Sequence, residues 1–394
     1  MTRPAMHLVD PQTGESDPAD IRRVFESQLA TSLAWRESTI AERIARLKKL
    51  RDAMLARRAD FYAAFEKDYR KPAIEVDGTE FMPVLEEIRH TIGSLKKWAQ
   101  PKRVRPTIGT LFTESWIEYQ PRGRCLVVAP WNFPLAMITR KVAPALAAGC
   151  PVIIKPAELT PLTALAAAEL AVRAGIPAGV INILSADSEQ SIAIGKVLCA
   201  SDVVRHISFT GSTEVGRILM AQSAPTVKKM SLELGGNAPF IVFDDADIDS
   251  AVEGAFASKY RNAGQTCVCT NRFYVQDGVY DQFVQKFAAK VRTAKVGNGF
   301  EEGVNQGPLI EEAALEKVQR HVEDAIAKGG QVLAGGQRLK TLGSGQFFEP
   351  TVVAHATPDM LCAREETFGP VVAIYKVASD AEAIARFKQM IERI

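Results

Sequence analysis

Residues 261–272 contain two cysteines, Cys267 and Cys269, separated by a single valine. Small and polar residues precede Cys267, which predicts a loop, and the apolar residues 273–275 that follow predict a strand. A thiol at the end of a strand suits nucleophilic catalysis, because thiolate is reactive and a neighbouring base or dipole raises its population. An ordinary buried cysteine is the alternative, and it is the favoured one for Cys267 taken alone.

Polar residues with possible chemistry also follow several predicted strands, where α/β sheets bind their ligands. Asn132, within Pro-Trp-Asn-Phe-Pro, offers an amide donor for a developing oxyanion. Lys155 could bind phosphate or ribose, and Glu158 could hold ribose hydroxyls. A simple turn asparagine and a solvated charge pair are the alternatives.

A glycine-containing motif, Phe-Thr-Gly-Ser-Thr-Glu-Val-Gly, occupies residues 209–216. Its glycines allow close backbone approach, and the start of the next helix would present free N–H groups to a pyrophosphate. The motif matches neither G-x-G-x-x-G nor a P-loop, so alone it is a weak phosphate signal.

Two carboxylates lie beside glycines. Glu233, in an apolar context before Gly235-Gly236, could act as a general base once partial desolvation raises its pKa. An exposed glutamate between domains is the alternative. Glu366 precedes Phe368, Gly369 and Pro370 on a predicted turn, which is uninformative alone.

Helices and a hairpin are predicted before these motifs. Apolar residues at helical spacing predict amphipathic helices over residues 40–69 and 79–98. Strand-prone residues around Gly109 predict a projecting β-hairpin over residues 101–121, whose exposed edge needs a partner.

Strands and helices then alternate, which predicts a mainly parallel sheet covered on both faces. The strands of this series are residues 126–129, 152–155, 180–184, 207–209 and 240–243, and its helices are residues 138–148, 162–174, 188–198 and 214–221. A second α/β series follows, with helices near residues 249–260, 280–292, 313–328 and 380–392. The boundary is placed near residues 234–237.

The composition points to small-molecule chemistry. The chain has 394 residues, 47% hydrophobic and 24% charged, with Lys plus Arg (48) nearly balancing Asp plus Glu (46). Such a balance gives no reason to expect nucleic acid or an anionic membrane as a partner. The six cysteines lack the paired spacing of a zinc site or a disulfide framework, so no metal is expected. No apolar run has the length of a membrane span, and residues 1–20 are polar and acidic, which predicts a cytoplasmic protein.

Taken together, the motifs resemble the aldehyde dehydrogenase superfamily over about residues 40–385. The ordered set is Pro-Trp-Asn-Phe-Pro, Lys-Pro-Ala-Glu, Phe-Thr-Gly-Ser-Thr-Glu-Val-Gly, Leu-Glu-Leu-Gly-Gly, Gly-Gln-Thr-Cys and Glu-x-Phe-Gly-Pro. The resemblance implies an α/β fold with three parts. A Rossmann-like dinucleotide-binding domain would comprise residues 1–100 and 122–233, an oligomerisation hairpin residues 101–121, and a catalytic domain residues 234–394.

The resemblance also implies residue roles. Cys267 would be the nucleophile, Asn132 and the Cys267 backbone N–H would form the oxyanion hole, and Glu233 would be the general base. The thiolate adds to the aldehyde, hydride leaves for the nicotinamide, and activated water releases the acid from a thioester. The positions that would contact the cofactor are Trp131, Lys155, Glu158, Gly211, Ser212, Gly216, Glu366 and Phe368.

From about Met137 onward the sequence resembles the succinate-semialdehyde branch of that family. By this resemblance Arg140 and Arg261 bind the substrate carboxylate, although a surface ion pair is the alternative for each singly. A carboxylate at Glu158 would accept a ribose 2′-hydroxyl and repel a 2′-phosphate, which predicts NAD rather than NADP. Cys269 could close reversibly on Cys267 under oxidation, with a packing cysteine as the alternative.

Two departures from the family keep other functions open. The part up to Gln120 is more similar to a shorter class (class 3) that acts on aliphatic or aromatic aldehydes. After residues 380–386 the family would continue with the rest of the catalytic domain. The alternatives are therefore a dehydrogenase for medium-chain or aromatic aldehydes and a truncated, inactive dinucleotide-binding protein. A homodimer or homotetramer is expected if the shortened end permits it.

Overall fold

The computed structural model describes residues 18–340, 342 and 345–391. The helices are α1 (Pro18–Arg36), α2 (Ile40–Ala56), α3 (Arg58–Asp68), α4 (Ala73–Glu75), α5 (Met82–Trp98), α6 (Pro134–Ala147), α7 (Pro161–Arg173), α8 (Ser188–Ala200), α9 (Thr213–Ser223), α10 (Ile248–Tyr260), α11 (Tyr280–Val291), α12 (Glu312–Ala327), α13 (Leu361–Arg364) and α14 (Asp380–Ile391). The strands are β1 (Lys102–Val104), β2 (Ser115–Ile117), β3 (Arg124–Val128), β4 (Val152–Lys155), β5 (Ile181–Ile183), β6 (Val204–Thr210), β7 (Lys229–Glu233), β8 (Ala238–Val242), β9 (Thr270–Gln276), β10 (Gln331–Ala334), β11 (Thr351–Ala354) and β12 (Val371–Val377). In the described part of the chain, no helix is long and apolar enough to cross a membrane.

Two compact units divide the chain. The first comprises the described residues up to Asp68 together with Val76–Leu234, and the second comprises Tyr69–Glu75 and the described residues from Gly235 onward. The sequence-based division assigned residues 69–75 to the first domain. In the structure this segment is bound to the second unit, because the Ala73 N–H donates to the Gly299 carbonyl and the Glu75 carboxylate accepts the Asn262 N–H.

The first unit is built on a five-stranded sheet with the order β5-β4-β3-β6-β7. All four pairings are parallel, as the alternation of strands and helices predicts. Strands β4 and β5 are buried along their whole length, which agrees with their mostly apolar sequences, Val-Ile-Ile-Lys and Ile-Asn-Ile. Helix α1 contributes Ile21 and Val24 to the core that includes Leu126 and Phe209.

One strand assignment was wrong. Residues 240–243 were predicted within the first sheet, but β8 is an edge strand of the second sheet. The fifth strand of the first sheet is β7, which the sequence analysis did not identify. In β7 exposed residues alternate with half-buried ones, so no apolar run marks this edge strand.

The predicted amino-terminal helices also begin and end elsewhere. The predicted helix over residues 40–69 is two helices, α2 and α3, separated at Arg57. A capping box of Thr39 and Glu42 fixes the start of α2. The predicted helix over residues 79–98 becomes a regular α-helix only at Met82, after a π-helical turn over Val76–Phe81.

Helices α6 and α7 are capped by acids from earlier in the chain. Each begins with a proline, and neither Phe133 nor Thr160 supplies a side-chain cap. Instead the fully buried Glu80 accepts the Ala136 N–H at 2.8 Å. Asp68 accepts the Thr163 N–H at 2.7 Å and the Thr163 hydroxyl at 2.8 Å. These carboxylates satisfy free N–H groups at the helix starts and favour the positive end of each helix dipole.

The predicted hairpin is present in the first unit. Strands β1 and β2 pair antiparallel, with Lys102 opposite Ile117 and Val104 opposite Ser115. Apolar residues in its connecting loop are exposed, Ile108 at 91% and Phe112 at 102%.

The second unit contains a second five-stranded sheet with the order β10-β11-β12-β9-β8. Only β10 is antiparallel to its neighbour. The core on one face of this sheet is aromatic, with Phe273, Phe283 and Phe287 fully buried and their rings stacked in series at 5.5 to 5.6 Å between centroids. This packing fixes the strands from which the cysteine loop projects.

Candidate active site

In the first unit the candidate residues lie at the carboxyl ends of the parallel strands. Trp131 and Asn132 follow β3, and Asn132 is 5% exposed in the loop that leads to α6. The Glu80 carboxylate holds the first turn of that helix at Ala136. The loop that carries Asn132 is therefore fixed by β3 on one side and by a capped helix on the other.

The ammonium of Lys155, at the end of β4, and the carboxylate of Glu158, in the loop that follows, lie in different environments. Lys155 is 6% exposed and donates to the Pro156 carbonyl at 2.6 Å. Burial lowers the pKa of Lys155, while Glu158 and Asp187 oppose that shift. Glu158 is exposed and accepts a hydrogen bond from the Ser188 hydroxyl at 3.2 Å.

The glycine-containing motif joins β6 to α9. Ser212 caps α9 by accepting the Val215 N–H at 3.2 Å. A Cβ atom at Gly211 would lie 2.5 Å from the Phe209 ring, and one at Gly216 would lie 2.7 Å from Leu234. A side chain at either glycine would collide with these groups, so the glycines allow the start of α9 to lie close to the ends of β6 and β7.

This edge of the sheet fits a dinucleotide. The hydroxyls of Ser185, just beyond β5, and Thr210, at the end of β6, are buried without a hydrogen-bond partner among the described residues. Buried hydroxyls without partners are unusual, and phosphate or ribose oxygens would satisfy them. The first N–H groups of α9 add positive potential next to Thr210.

Glu233 is the exposed last residue of β7. Its carbonyl accepts the Gly211 N–H at 3.1 Å, which ties the end of β7 to the end of β6. Lys141 on α6 donates to the Ser208 hydroxyl at 3.1 Å. Burial lowers the pKa of Lys141, and the Glu233 carboxylate acts in the opposite direction.

In the second unit the cysteine loop precedes β9. Asn262 and Ala263 adopt left-handed backbone conformations, with φ of 55° and 52°, although neither is glycine. Such backbone must be held by its surroundings. Gln265, fully buried, donates to the Pro308 carbonyl and accepts the Ile310 N–H.

The two cysteines of this loop are both free thiols, but their environments differ. Cys267 is partly exposed, and Cys269 is fully buried. The Cys269 thiol donates to the Lys259 carbonyl at 3.2 Å and accepts from the Thr266 hydroxyl at 2.7 Å. Accessibility therefore favours Cys267 as the reactive thiol.

A buried lysine that the sequence analysis missed lies behind the loop. Lys259 on α10 has no exposed surface and donates to the Asn271 side-chain oxygen at 2.7 Å. Burial lowers its pKa to about 8, although Cys269, Glu366 and Cys362 favour the charged form. The sequence could have indicated this burial, because Lys259 is the one lysine of α10 and lies on the face of that helix that carries its buried apolar residues.

Glu366 lies in the loop before β12. Burial raises the pKa of Glu366, while the Gly236 N–H, which donates to the carboxylate, lowers it. Its Oε1 atom is buried without a hydrogen-bond partner among the described residues, which is unusual for a buried polar atom. Phe368, two residues on, is half-buried with a φ of 51°.

The two arginines belong to different units. Arg140 is exposed on α6 in the first unit. Arg261 ends α10 in the second unit, and it is one of the charges that lower the pKa of Glu75, against the larger effect of burial. In the described residues, no group of three or more His, Cys, Asp or Glu side chains could hold a metal ion.

Comparisons with known proteins agree with this arrangement. The profile of the aldehyde dehydrogenase family matches residues 2–389. The chain is 46% identical over 391 residues to a glutarate-semialdehyde dehydrogenase of Pseudomonas putida, covering 98% of this chain and 78% of that relative. It is 47% identical over 373 residues to a succinate semialdehyde dehydrogenase of Acinetobacter baylyi, covering 93% and 74%.

The fold is shared as well. A crystal structure of succinate-semialdehyde dehydrogenase from Burkholderia pseudomallei superposes with a TM-score of 0.90 at 45% identity, covering 97% of this chain and 81% of that one. The predicted α/β fold class is thereby confirmed. The chain belongs to the aldehyde dehydrogenase family, the oxidoreductases that act on aldehydes with NAD or NADP as acceptor.

Proposed function

We propose that this protein oxidises succinate semialdehyde to the acid, with NAD as the acceptor. The observation that carries the proposal is the identity of 46% and 47% to two semialdehyde dehydrogenases over 98% and 93% of the chain. Both named substrates are short aldehydes with a carboxylate at the far end. Arginines bind such a group well, and Arg261 lies six residues before Cys267.

Cys267 is proposed as the nucleophile. Its thiolate adds to the aldehyde carbon and forms a thiohemiacetal, whose oxyanion accepts hydrogen bonds from the Asn132 amide and the Cys267 backbone N–H. Bound NAD supplies the hydride acceptor. Loss of hydride leaves a thioester on Cys267, and Glu233 takes a proton from the water that hydrolyses it.

The proposed cofactor residues form two groups. In the first unit, Lys155 and Glu158 are assigned to the adenosine ribose, the start of α9 with Gly211, Ser212 and Gly216 to the pyrophosphate, and Trp131 to the same surface. In the second unit, Glu366 is assigned to a ribose hydroxyl, and Phe368 packs against the nicotinamide side. NAD is preferred to NADP because the exposed Glu158 carboxylate would repel a 2′-phosphate.

Glutarate semialdehyde is the second candidate substrate. The relative named for it aligns with 98% of the chain. The two semialdehydes differ by one methylene, which a pocket discriminates only weakly, by about 1–3 kcal/mol. A preference between them therefore shows in relative kcat/KM rather than in the presence or absence of activity.

The deciding experiment follows NADH absorbance with purified protein. Succinate and glutarate semialdehydes are compared with medium-chain and aromatic aldehydes, the substrates that a class-3-like amino-terminal part would predict. Each is assayed with NAD and with NADP, and Cys267→Ala controls for contaminating activity. We expect the highest kcat/KM for succinate semialdehyde with NAD. Protein that binds NAD but forms no NADH with any aldehyde would support the inactive dinucleotide-binding alternative.

A redox role for Cys269 is also proposed. Oxidation would join Cys269 to Cys267 and remove the nucleophile, and the buried Cys269 thiol would first have to leave its hydrogen bonds to Thr266 and Lys259. Peroxide inactivation that dithiothreitol reverses in wild type, but not in Cys269→Ala, is the expected result. Equal reversal in both proteins would leave Cys269 with a packing role.

The remaining assignments are proposals about organisation. Residues 122–233 with the amino-terminal helices would form the dinucleotide-binding domain, residues 234–394 the catalytic domain, and residues 101–121 the oligomerisation hairpin. A cytoplasmic homodimer or homotetramer is expected, and fractionation of cells that produce the protein would test the location.

A further inference from the structure

We propose that His321 is a positioning residue for the cofactor. By holding Glu365 and Thr367, it aims the Glu366 carboxylate at a ribose hydroxyl of bound NAD. The inference rests on the cofactor role proposed above for Glu366.

His321 contacts both neighbours of Glu366. It lies on α12 with no exposed surface. Its Nδ1 atom is 3.1 Å from the Thr367 hydroxyl, and its Nε2 atom is 3.2 Å from Glu365 Oε2. One rigid ring therefore fixes the residues on either side of Glu366.

The partners determine the state of the ring. A carboxylate only accepts hydrogen bonds, so Nε2 carries the proton that is donated to Glu365. Burial lowers the pKa of His321, although the hydrogen bond to Glu365 opposes the shift. In the neutral ring Nδ1 is then an acceptor, and the Thr367 hydroxyl donates to it. Each ring nitrogen of His321 therefore has a single hydrogen-bonding role, and the two roles together define the orientation of the ring.

Other side chains of α12 hold the same stretch of chain. Asp324 Oδ2 accepts the Leu361 N–H at 2.6 Å, and Arg320 donates to Glu365 at 3.3 Å. The loop needs such anchors, because Phe368 has a φ of 51° and a non-glycine residue resists that conformation. Helix α12 thus acts as a template for the whole segment from Leu361 to Phe368.

Glu366 itself is held on one side only. The Gly236 N–H donates to its carboxylate, and a Cβ atom at Gly235 would lie 2.6 Å from Oε2. Its Oε1 atom is buried without a partner among the residues that the structure describes. The direction of this free oxygen depends on the conformation of the loop, and His321 holds the side chains of the residues on both sides of Glu366.

The test measures NAD affinity without aldehyde, by isothermal titration calorimetry. We expect His321→Leu, which keeps neither hydrogen bond, to weaken NAD binding about tenfold, the usual effect of losing a hydrogen bond to a charged group. His321→Gln keeps a donor for Glu365 and should recover part of the affinity. Thr367→Val replaces only the hydroxyl that contacts His321 and should weaken NAD binding less than His321→Leu does. It also provides a second variant in case the His321→Leu protein does not fold.

A matched control separates positioning from general stability. Val322→Ala removes buried side-chain volume from the next residue of α12 but leaves the hydrogen bonds of His321 to Glu365 and Thr367 in place. It should lower the melting temperature without changing the Kd for NAD. In the active enzyme His321→Leu should raise the KM for NAD while leaving the KM for the aldehyde at saturating NAD unchanged.

Failure of this proposal can be distinguished from failure of the cofactor assignment. If Glu366→Gln weakens NAD binding but the His321 and Thr367 variants do not, His321 has no positioning role. If Glu366→Gln itself leaves the Kd unchanged, the cofactor role of Glu366 is wrong and the positioning role is overturned with it. An equal loss of NAD affinity in Val322→Ala would show that the effect of His321→Leu comes from lower stability of the protein and not from positioning of Glu366.

Discussion

Lys259 is the most costly buried ion of the described residues near the cysteine loop. Its ammonium has no exposed surface and donates a hydrogen bond to Asn271, and burial lowers its pKa from 10.5 to about 8. Above pH 10.5 the lysine is neutral in the folded and unfolded states, so it costs nothing. As the pH falls from 10.5 to 8, the unfolded chain takes up a proton that the folded chain does not, and the folded state loses stability.

Lys259→Met should remove this pH dependence. The free energy of unfolding of wild type, minus that of the variant, should rise by about 3 kcal/mol between pH 8 and pH 10.5, since each unit of pKa shift corresponds to about 1.4 kcal/mol. Urea denaturation at several pH values measures both proteins, and Lys286→Met controls for the loss of an exposed lysine. A difference that stays constant over this range would contradict the buried state of Lys259.

At the residue scale, the proposed role of the two arginines in substrate binding can be tested by mutation. If Arg140 and Arg261 bind the carboxylate of the semialdehyde, each change to alanine should raise the KM for succinate semialdehyde about tenfold or more, the cost of losing a hydrogen bond between charged groups. The KM for an uncharged aldehyde of similar length should change little. Steady-state kinetics with both aldehydes measures the effect, and Arg22→Ala, an exposed arginine on α1, is the control. Equal effects on both aldehydes would assign these arginines to structural ion pairs.

Residues inside a contiguous motif could be predicted, and residues that act through distant contacts could not. Cys267, Asn132, Glu233 and Glu366 each lie in a short recognisable sequence. His321 touches Glu365 and Thr367, which are 44 and 46 residues away, and nothing in its local sequence indicates those contacts. The local sequence likewise does not indicate that the hydroxyls of Ser185 and Thr210 are buried without partners among the described residues.

At the element scale, the cap that the Asp68 side chain provides at the start of α7, from outside that helix, can be tested by mutation. Asp68 at the end of α3 accepts the Thr163 N–H, the Thr163 hydroxyl and the Leu162 N–H at the start of α7. Asp68→Ala leaves these donors without an acceptor and should lower the free energy of unfolding by about 1–3 kcal/mol. Asp68→Asn keeps an oxygen acceptor and should lose less. Urea denaturation measures both, with the exposed Glu66→Ala on the same helix as control; a loss in Glu66→Ala equal to that in Asp68→Ala would count against the cap.

The positions of helices were predicted well where apolar residues recur at helical spacing. Elements without such a periodic apolar pattern were missed. Helices α10, α11 and α12 start within one residue of the predicted positions because their apolar residues recur at helical spacing. Strand β7 was missed because an edge strand with one exposed face lacks an apolar run. The break at Arg57 was also missed, since apolar residues continue at helical spacing on both sides of it.

The candidate residues follow the rule that ligands bind beyond the carboxyl ends of strands in only one of the two sheets. In the first unit, Asn132 and Gly211 follow their strands and Lys155 is the last residue of β4, as that rule requires. In the second unit, Cys267 precedes β9 and Glu366 precedes β12, so the candidate residues lie at the amino ends. The sequence motifs found these residues, whereas the sheet rule alone would have pointed to the opposite edge.

At the scale of the whole molecule, each unit has its own sheet and its own buried core. The core of the first unit is mostly aliphatic, and one core of the second is rich in aromatic rings. The sequence predicted this two-part α/β organisation because strand and helix patterns alternate on both sides of residues 234–237. It could not predict that residues 69–75 belong to the second unit, since that depends on hydrogen bonds to Gly299 and Asn262.

The hairpin makes a prediction about assembly. Strands β1 and β2 form only three residue pairs, and a two-stranded hairpin of this size is marginally stable alone. Its loop exposes Ile108 and Phe112 almost completely, and exposed apolar side chains of this kind mark protein interfaces. A second copy of the chain is the proposed partner, so changing both residues to serine should shift the mass in solution toward the 43.0 kDa of one chain.

Multi-angle light scattering after size-exclusion chromatography measures this mass, and circular dichroism shows whether the variant keeps its fold. Ile74→Ser is the matched control, because Ile74 is 77% exposed on α4, outside the hairpin. Its mass should equal that of wild type. A double variant that keeps the wild-type oligomer would place the interface elsewhere, and a wild-type mass near 43 kDa would contradict assembly altogether.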